Sequence, residues 1–469
     1  MTGDDEGFEA VATAVRERID PDDSERARMD EAAAALTERA EDAIETLPVE
    51  ADVTQVGSTA RGTWISGDRD IDLFVRFPAD LDREDLESYG LEVGHAVLPE
   101  GREEYAEHPY VTGEFEGFDV DLVPCYRVEA ATEIQSAVDR TPFHTEYLDA
   151  RLDADLAGEV RLFKQFLKGI GAYGSDLRTE GFSGYLTELL VLEHGGFRET
   201  VEAAAEWRPP VRFDPEDHGR VEFDDPLVVV DPTDPERNVA AVLSADNLAR
   251  LQHYARELLA DPREELFGSE SADPLAPEDV REHVRARGTT PIAMRFPAPD
   301  VVEDQLYPQL RKSLAGVRDE LDRRGFEPLR TTTFADDEAV LFVELAVAER
   351  PGVERHEGPP VHVREHAEEF YGKYADDQSS SSPATQSQDA DDPDAYGPFI
   401  DGDRYVVERD REFETAAAFL ESEAAFDVAL GAHVESSLKD GYDVLVGADV
   451  AELADQFGAE LADYFDPQP

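Results

Sequence analysis

Gly57-Ser58-Thr59-Ala60-Arg61-Gly62-Thr63, followed by Asp70-Ile71-Asp72-Leu73, is the stretch on which the reading of this chain turns. Residues 53–56 ahead of it read as a strand and Gly57-Ser58 as a turn, with a helix or tight loop around 59–64. Residues 71–77 form an apolar run that stops before Pro78, the pattern of a second strand. Side chains at i and i+2 of a strand face the same way, so Asp70 and Asp72 project from one face while Ile71 and Leu73 pack on the other. Asp68 shares their parity, but Arg69 makes a poor core residue, and Asp68 is therefore placed in the entering loop. Residues 118–123 read as a third strand, ended by Pro124. It carries Asp119 and Asp121, with Asp121 embedded between Val120 and Leu122.

Three carboxylates, Asp70, Asp72 and Asp121, on two neighbouring strands suit a pair of Mg²⁺ ions, which take a few carboxylates and fill their shells with substrate phosphate oxygens. Two such ions activate an attacking hydroxyl and stabilise a leaving pyrophosphate. Gly57 lets the backbone turn tightly beside a phosphate. Ser58 offers a hydroxyl and an amide at a helix start, and Arg61 a two-pronged fork. There is no Gly-Lys-Ser/Thr, so this is not a P-loop. The pattern points to nucleotidyl transfer from a nucleoside triphosphate.

The charge bears on the acceptor. The chain has 469 residues, 109 Asp and Glu against 43 Lys and Arg, and a formal charge of -66. That much like charge repels itself strongly in dilute buffer. In molar salt the Debye length falls to about 3 Å and most of the repulsion is screened. A salt-filled cytoplasm, as in a halophilic archaeon, accounts for the composition; an acidic protein that avoids or mimics nucleic acid is the rival. High salt weakens phosphate neutralisation, so an RNA partner must be held more by shape, stacking and hydrogen bonds. Only five lysines occur, and two of them, Lys164 and Lys168, sit one helical turn apart. Keeping lysine there suggests a specific phosphate contact.

No apolar run is long enough to span a bilayer, and the acidic N-terminus lacks the apolar core of a signal peptide. The single cysteine, Cys125, precludes an internal disulfide and reads as a small core residue. A cytoplasmic protein with no membrane partner is expected.

The fold class expected is α+β multidomain. Residues 1–145 form a catalytic head, opening with helices over 7–20 and 23–46. Residues 146–275 form a helical neck, with one strand at 227–230. Residues 276–350 follow a β-α-β-β order that suits a ferredoxin-like, RNA-recognition-like body, although the usual aromatic signature of RNA-recognition sheets is missing. Residues 351–469 form a mostly helical tail with a strand at 404–407. The Ser-rich stretch near 376–396 reads as a disordered insertion.

Gly-Ser, then Asp-hydrophobic-Asp, then a distant third Asp resembles the polymerase-β-type nucleotidyltransferases. Gly57-Ser-Thr-Ala-Arg-Gly-Thr-Trp64, Asp121-Leu-Val-Pro-Cys-Tyr126, Asp139-Arg-Thr-Pro-Phe-His144 and Asp231-Pro…Arg237-Asn-Val resemble, in order, the class I (archaeal-type) CCA-adding enzymes. The resemblance implies that C, C and A are added to the 3′ end of tRNA from CTP and ATP without a nucleic-acid template. It implies that Asp70, Asp72 and Asp121 hold metal, with Asp70 where the family often has Glu. Ser58 and Arg61 would contact the triphosphate. His144, Lys164 and Tyr173 would complete the nucleotide pocket, and Arg237 would help read the base and the tRNA end. Read alone, His144 is more often a capping or core residue, Tyr173 a packing residue and Arg237 one exposed arginine among many. The partners expected are tRNA, through acceptor stem, 3′ end and elbow, and nucleoside triphosphates, with a homodimer as the assembly considered. A poly(A) polymerase or oligoadenylate synthetase is the nearest alternative, and an inactive RNA-binding protein the second.

Overall fold

The computed structural model describes residues 3–105, 107–268, 273–378 and 396–469. Contacts divide the chain into an N-terminal unit, 1–270, and a C-terminal unit, 271–468. The Ser-rich stretch lies outside the described residues over 379–395. No described helix is long and apolar enough to cross a membrane.

The N-terminal unit opens with helices α1 (Gly3–Ile19) and α2 (Asp23–Ile44), as the sequence suggested. Asp22 starts α2 by accepting the Glu25 amide at 2.8 Å, and the Glu25 carboxylate accepts the Asp22 amide at 2.9 Å. Strand β1 (Asp52–Val56), short helix α3 (Gly57–Arg61), β2 (Asp70–Pro78), α4 (Arg83–Val97), β3 (Arg102–Tyr105), β4 (Pro109–Phe115) and β5 (Phe118–Arg127) follow. The five strands make one sheet in the order β1-β2-β5-β4-β3. Ile71, Leu73, Val75, Val120 and Leu122 turn one face of it onto Met29, Leu36, Leu86 and Val93 of α2 and α4. The carboxylates are thereby left on the opposite face.

Strand β5 does not end at Pro124; it runs on to Arg127. Its pairing with β4 stops at Leu122, so Pro124 sits where β5 has a free edge on that side, the setting in which a strand tolerates proline. Cys125 is fully buried beside Val56 and Phe74, as expected of a core residue, and burial raises its thiol pKa.

Helices α5 (Thr141–Asp149), α6 (Ala154–Gly169), α7 (Gly184–His194), α8 (Phe197–Glu206) and α9 (Ala245–Ala260) dominate the rest of this unit. Phe163, Phe166, Leu189, Leu190, Phe197 and Leu251 form its core, which Phe8 and Val15 of α1 join. A small sheet of β6 (Val211–Phe213), β7 (Leu227–Asp231) and β8 (Asp234–Asn238) lies between α8 and α9 in the chain.

The C-terminal unit begins with α10 (Pro277–Arg287), β9 (Thr290–Pro297), α11 (Glu303–Arg323), β10 (Pro328–Ala335) and β11 (Glu338–Leu345). After β12 (Val353–Pro360), α12 (Arg364–Gln378), β13 (Tyr396–Asp401), β14 (Arg404–Asp410), α13 (Ala416–Leu420) and α14 (Ala432–Asp440), strand β15 (Asp443–Val446) joins β9. The main sheet runs β10-β11-β9-β15, antiparallel throughout, and α15 (Ala454–Phe465) closes the unit. Leu310, Val317 and Leu321 of α11 and Val434 of α14 cover one face. Val280 of α10 and Phe457, Leu461 and Tyr464 of α15 cover the other. The region expected as mostly helical also holds a three-stranded sheet, β12-β14-β13, of which only β14 was legible.

Candidate active site

Strands β2 and β5 are parallel neighbours in a register that sets Asp70 opposite Asp119 and Asp72 opposite Asp121. Strand β1 pairs antiparallel with β2 and ends with Val56 opposite Asp72. The chain then turns at Gly57, whose φ of +79° lies in the region that favours glycine. A Cβ at Gly57 would stand 2.2 Å from Asp72 Oδ2. The Gly-Ser turn and the Asp-X-Asp strand are thus one piece of geometry, with the turn's backbone against the carboxylate.

Burial, then the charges of Asp121 and Asp70, push the Asp72 carboxyl up to about 6, against the pull of Arg61. Asp70 is also raised, first by burial and then by Asp68 and Asp119. Among the described residues no three His, Cys, Asp or Glu side chains converge into a ready-made metal cage. The three aspartates still fit a hard divalent cation: they are oxygen-only donors, crowded enough that, after burial, Asp121 and Asp70 raise the Asp72 pKa, and an ion completed by substrate phosphates needs no closed protein cage.

The loop from the turn to β2 is tied to α6 and α7. Arg61 donates through Nε and Nη2 to both oxygens of Glu188, at 2.9 and 2.8 Å, and through Nη1 to Thr145 Oγ1 at 3.1 Å. Thr63 donates its hydroxyl to Glu188 at 2.6 Å. Arg161 holds the Gly62 carbonyl at 2.6 Å and Asp20 at 2.6 Å. Arg61, expected at the triphosphate, is therefore turned onto Glu188. Ser58 lies in α3, where its carbonyl accepts the Thr63 amide at 3.0 Å.

Lys164 and Lys168 both reach Asp68, at 2.6 and 3.2 Å, and their ammonium groups lie 5.5 and 5.6 Å from the centre of the Tyr173 ring. Burial would raise the Asp68 carboxyl, but Lys164 and then the Ile65 amide and Lys168 bring it below its ordinary value. Asp68 does lie in the loop, as the poor fit of Arg69 to a core suggested, and it pairs with both lysines there. Burial raises the Tyr173 phenol, which stays protonated.

His144 and Arg237 meet on Asp231. Asp231 Oδ2 accepts His144 Nε2 at 2.8 Å and Arg237 Nη1 at 2.8 Å. Its Oδ1 accepts the Thr233 amide and hydroxyl at 2.9 and 2.8 Å. The His144 ring stacks on Tyr185, centroids 3.8 Å apart. Burial lowers the His144 pKa, and Arg237 and Arg140 add to it against the pull of Asp231, so at neutral pH the ring is uncharged and donates its Nε2 proton. Burial would raise Asp231, but the bonds from His144 and Thr233 hold it well below the carboxylate range. Asp139, fully buried, takes the amides of Tyr126, Gln135 and Ser136 and so fixes the entry to α5 and His144.

The expected residues thus fall into four groups: the carboxylates with the Gly57-Ser58 turn, Arg61 with Glu188, the lysines with Tyr173, and His144 with Arg237. Helix α5 supplies both His144 and Thr145, and α7 supplies Tyr185 and Glu188, one turn apart. Glu188, Asp68, Tyr185 and Asp231 were missed as partners. A glutamate inside the apolar run of α7 was the one available signal, since a buried charge needs a partner.

The sequence has relatives along its whole length. The CCA-adding enzyme of Haloarcula marismortui is 63% identical, over 98% of this chain and 99% of that protein. That of Halorubrum lacusprofundi is 62% identical over the same shares. The chain belongs to the CCA-adding enzyme family. More distantly, the CCA-adding enzyme of Methanoregula boonei is 45% identical over 87% of this chain and 86% of its own. Three family models match successive parts of the chain. A nucleotidyltransferase domain matches residues 38–144, which hold the turn and the carboxylates. A tRNA nucleotidyltransferase second domain matches 158–268, which hold Lys164, Glu188, Asp231 and Arg237. A CCA-adding enzyme C-terminal domain matches 287–447.

Proposed function

We propose that this chain completes the 3′ end of tRNA by adding C, C and A from CTP and ATP, without a nucleic-acid template, releasing pyrophosphate. The observation that carries the chemistry is Gly57 packed against Asp72, because it joins a backbone turn that can approach a phosphate to the carboxylates that can hold metal. Asp70, Asp72 and Asp121 would hold two Mg²⁺ ions, which when bound activate the tRNA 3′-hydroxyl and neutralise the leaving pyrophosphate. Ser58 contacts the triphosphate. Lys164 places positive charge beside it while Asp68 holds that charge in place. Arg61 acts at one remove, fixing the loop through Glu188. His144 and Tyr173 complete the nucleotide pocket together with Lys164, and Arg237 helps read the base and the tRNA end. Catalysis is then positioning and charge stabilisation, with no covalent intermediate.

The fold reading that goes with this is a nucleotidyltransferase head over 1–145, a neck over 146–275, a ferredoxin-like body and a tail. The β10-β11-β9-β15 order supports the ferredoxin-like assignment, with β15 as a fourth strand drawn from the tail. Both faces of that sheet are covered, so the tRNA elbow would meet loops and edges rather than a sheet face. The enzyme would work in a salt-rich cytoplasm, and a homodimer remains its proposed assembly.

Labelled CTP and ATP, supplied separately and together to tRNA lacking its last three nucleotides at high KCl, test the function. Growth that stops after C, C and A supports it. Long A tails would move the chain to the poly(A) polymerases. Absence of metal-dependent pyrophosphate release would make it an inactive RNA-binding protein.

A further inference from the structure

We infer that Asp231 is a positioning residue that holds the His144 ring and the Arg237 guanidinium as one wall for the incoming base, and so governs nucleotide choice rather than the transfer step. The inference rests on the reading that these two side chains face the nucleotide. Asp231 is the last residue of β7, whose five residues are all buried, and is itself 0% exposed. A carboxylate so placed is costly unless its lone pairs are taken. A purely structural one could be satisfied by local donors, as Asp139 is by Tyr126, Gln135 and Ser136. Asp231 divides its acceptors instead. Oδ1 is anchored locally, by the Thr233 amide and hydroxyl and by Tyr185 Oη at 3.5 Å. Oδ2 serves two side chains from different elements, His144 of α5 and Arg237 of β8.

One oxygen accepting from both sets the distance between them. The remaining freedom of His144, rotation out of plane, is taken by its stack on Tyr185, whose interplanar angle is 15°. Arg237 spends Nη1 on Asp231, and its side chain is 34% exposed. Among the described residues nothing engages its Nε or Nη2. Those donors are left for acceptors on a base edge, pre-aimed without the usual loss of arginine rotamer freedom. Preorganisation of this kind appears in binding and discrimination, since the reacting phosphate is not what these groups touch.

Asp231→Asn is the direct test, because an amide leaves one acceptor oxygen for donors that now use two. With tRNA acceptors poised for C or for A, the KM for the nucleotide should rise about tenfold while kcat stays within about threefold, and discrimination between CTP and ATP should fall. A urea midpoint at high KCl checks that the variant folds. If it does not, Thr233→Val carries the test: it removes one donor to Oδ1, keeps the charge, and should shift KM and selectivity the same way by a smaller factor. A folded Asp231→Asn or Thr233→Val with unchanged KM and selectivity, while His144→Ala and Arg237→Ala raise KM, overturns the positioning role. A fall in kcat at constant KM overturns it too. If His144→Ala and Arg237→Ala leave KM and selectivity untouched, the pocket reading beneath it is what fails, and the inference falls with it.

Discussion

Gly57→Ala tests the central geometry most sharply. The new Cβ would lie 2.2 Å from Asp72 Oδ2, inside the 3.0 Å that real Cβ contacts respect, so the carboxylate or the turn must give way. Asp72 has little room, its backbone held in register between β1 and β5 and its side chain half-buried. The resulting misplacement is about 1 Å, and a shift of that size at a reacting centre costs on the order of a hundredfold in rate. The left-handed backbone adds about 1–2 kcal/mol of strain for a non-glycine residue. Gly62→Ala separates the two effects. Gly62 also has a positive φ, +67°, but its Cβ would meet nothing within 4 Å. Both variants should lose similar stability in urea titrations at high KCl. Only Gly57→Ala should lose CTP incorporation into truncated tRNA. Equal activity in the two variants, or a Gly57→Ala rate within threefold of the parent, would refute the coupling of turn and carboxylate.

Asp72→Asn and Asp121→Asn should each abolish incorporation while leaving tRNA binding largely intact in a filter or mobility assay; near-parental turnover in both would remove the metal assignment. Glu188→Ala leaves the Arg61 guanidinium, 9% exposed, without its counterion. Stripping one partner from a buried pair costs about 3–5 kcal/mol, so the urea midpoint should drop clearly, and an unchanged midpoint would refute the clamp. The His144 pKa is lowered in the folded chain from an ordinary 6.5, so the unfolded chain takes up the proton first as pH falls. Stability should therefore decline below about pH 6.5, by at most about 1.4 kcal/mol per pH unit from this one group. His144→Gln should flatten that decline. Asp231, also lowered, adds a second loss only as pH drops below its ordinary 3.8.

Much of the head was legible in the sequence because its signals are local. Parity separated Asp70 and Asp72 from Ile71 and Leu73, and the fold keeps that division. The lysine pair was legible as an oddity of composition, though not its partner: Asp68 looked like discarded loop, and nothing in periodicity links it to residues some hundred positions later. Arg61 is a case where a distant partner was not legible. Its two-pronged fork was read as aimed at phosphate, whereas Glu188, distant in sequence, claims both prongs. Pro124 was read as a stop because proline removes a ladder donor, but whether that matters depends on which neighbour strand is still present.

The sequence by itself determined the strands and turn around Gly57, which faces of β2 and β5 are apolar, and the family, all of which depend on spacing within a few residues or on a long ordered resemblance. Tertiary structure alone decided which charges meet: Glu188 with Arg61, Asp68 with Lys164, Asp231 with His144 and Arg237. The physical reason is reach. A turn or strand is fixed by torsions and hydrogen bonds between near neighbours, while a buried carboxylate takes whichever donors packing brings to it. In a chain with 109 acidic residues the sequence cannot say which ones those are.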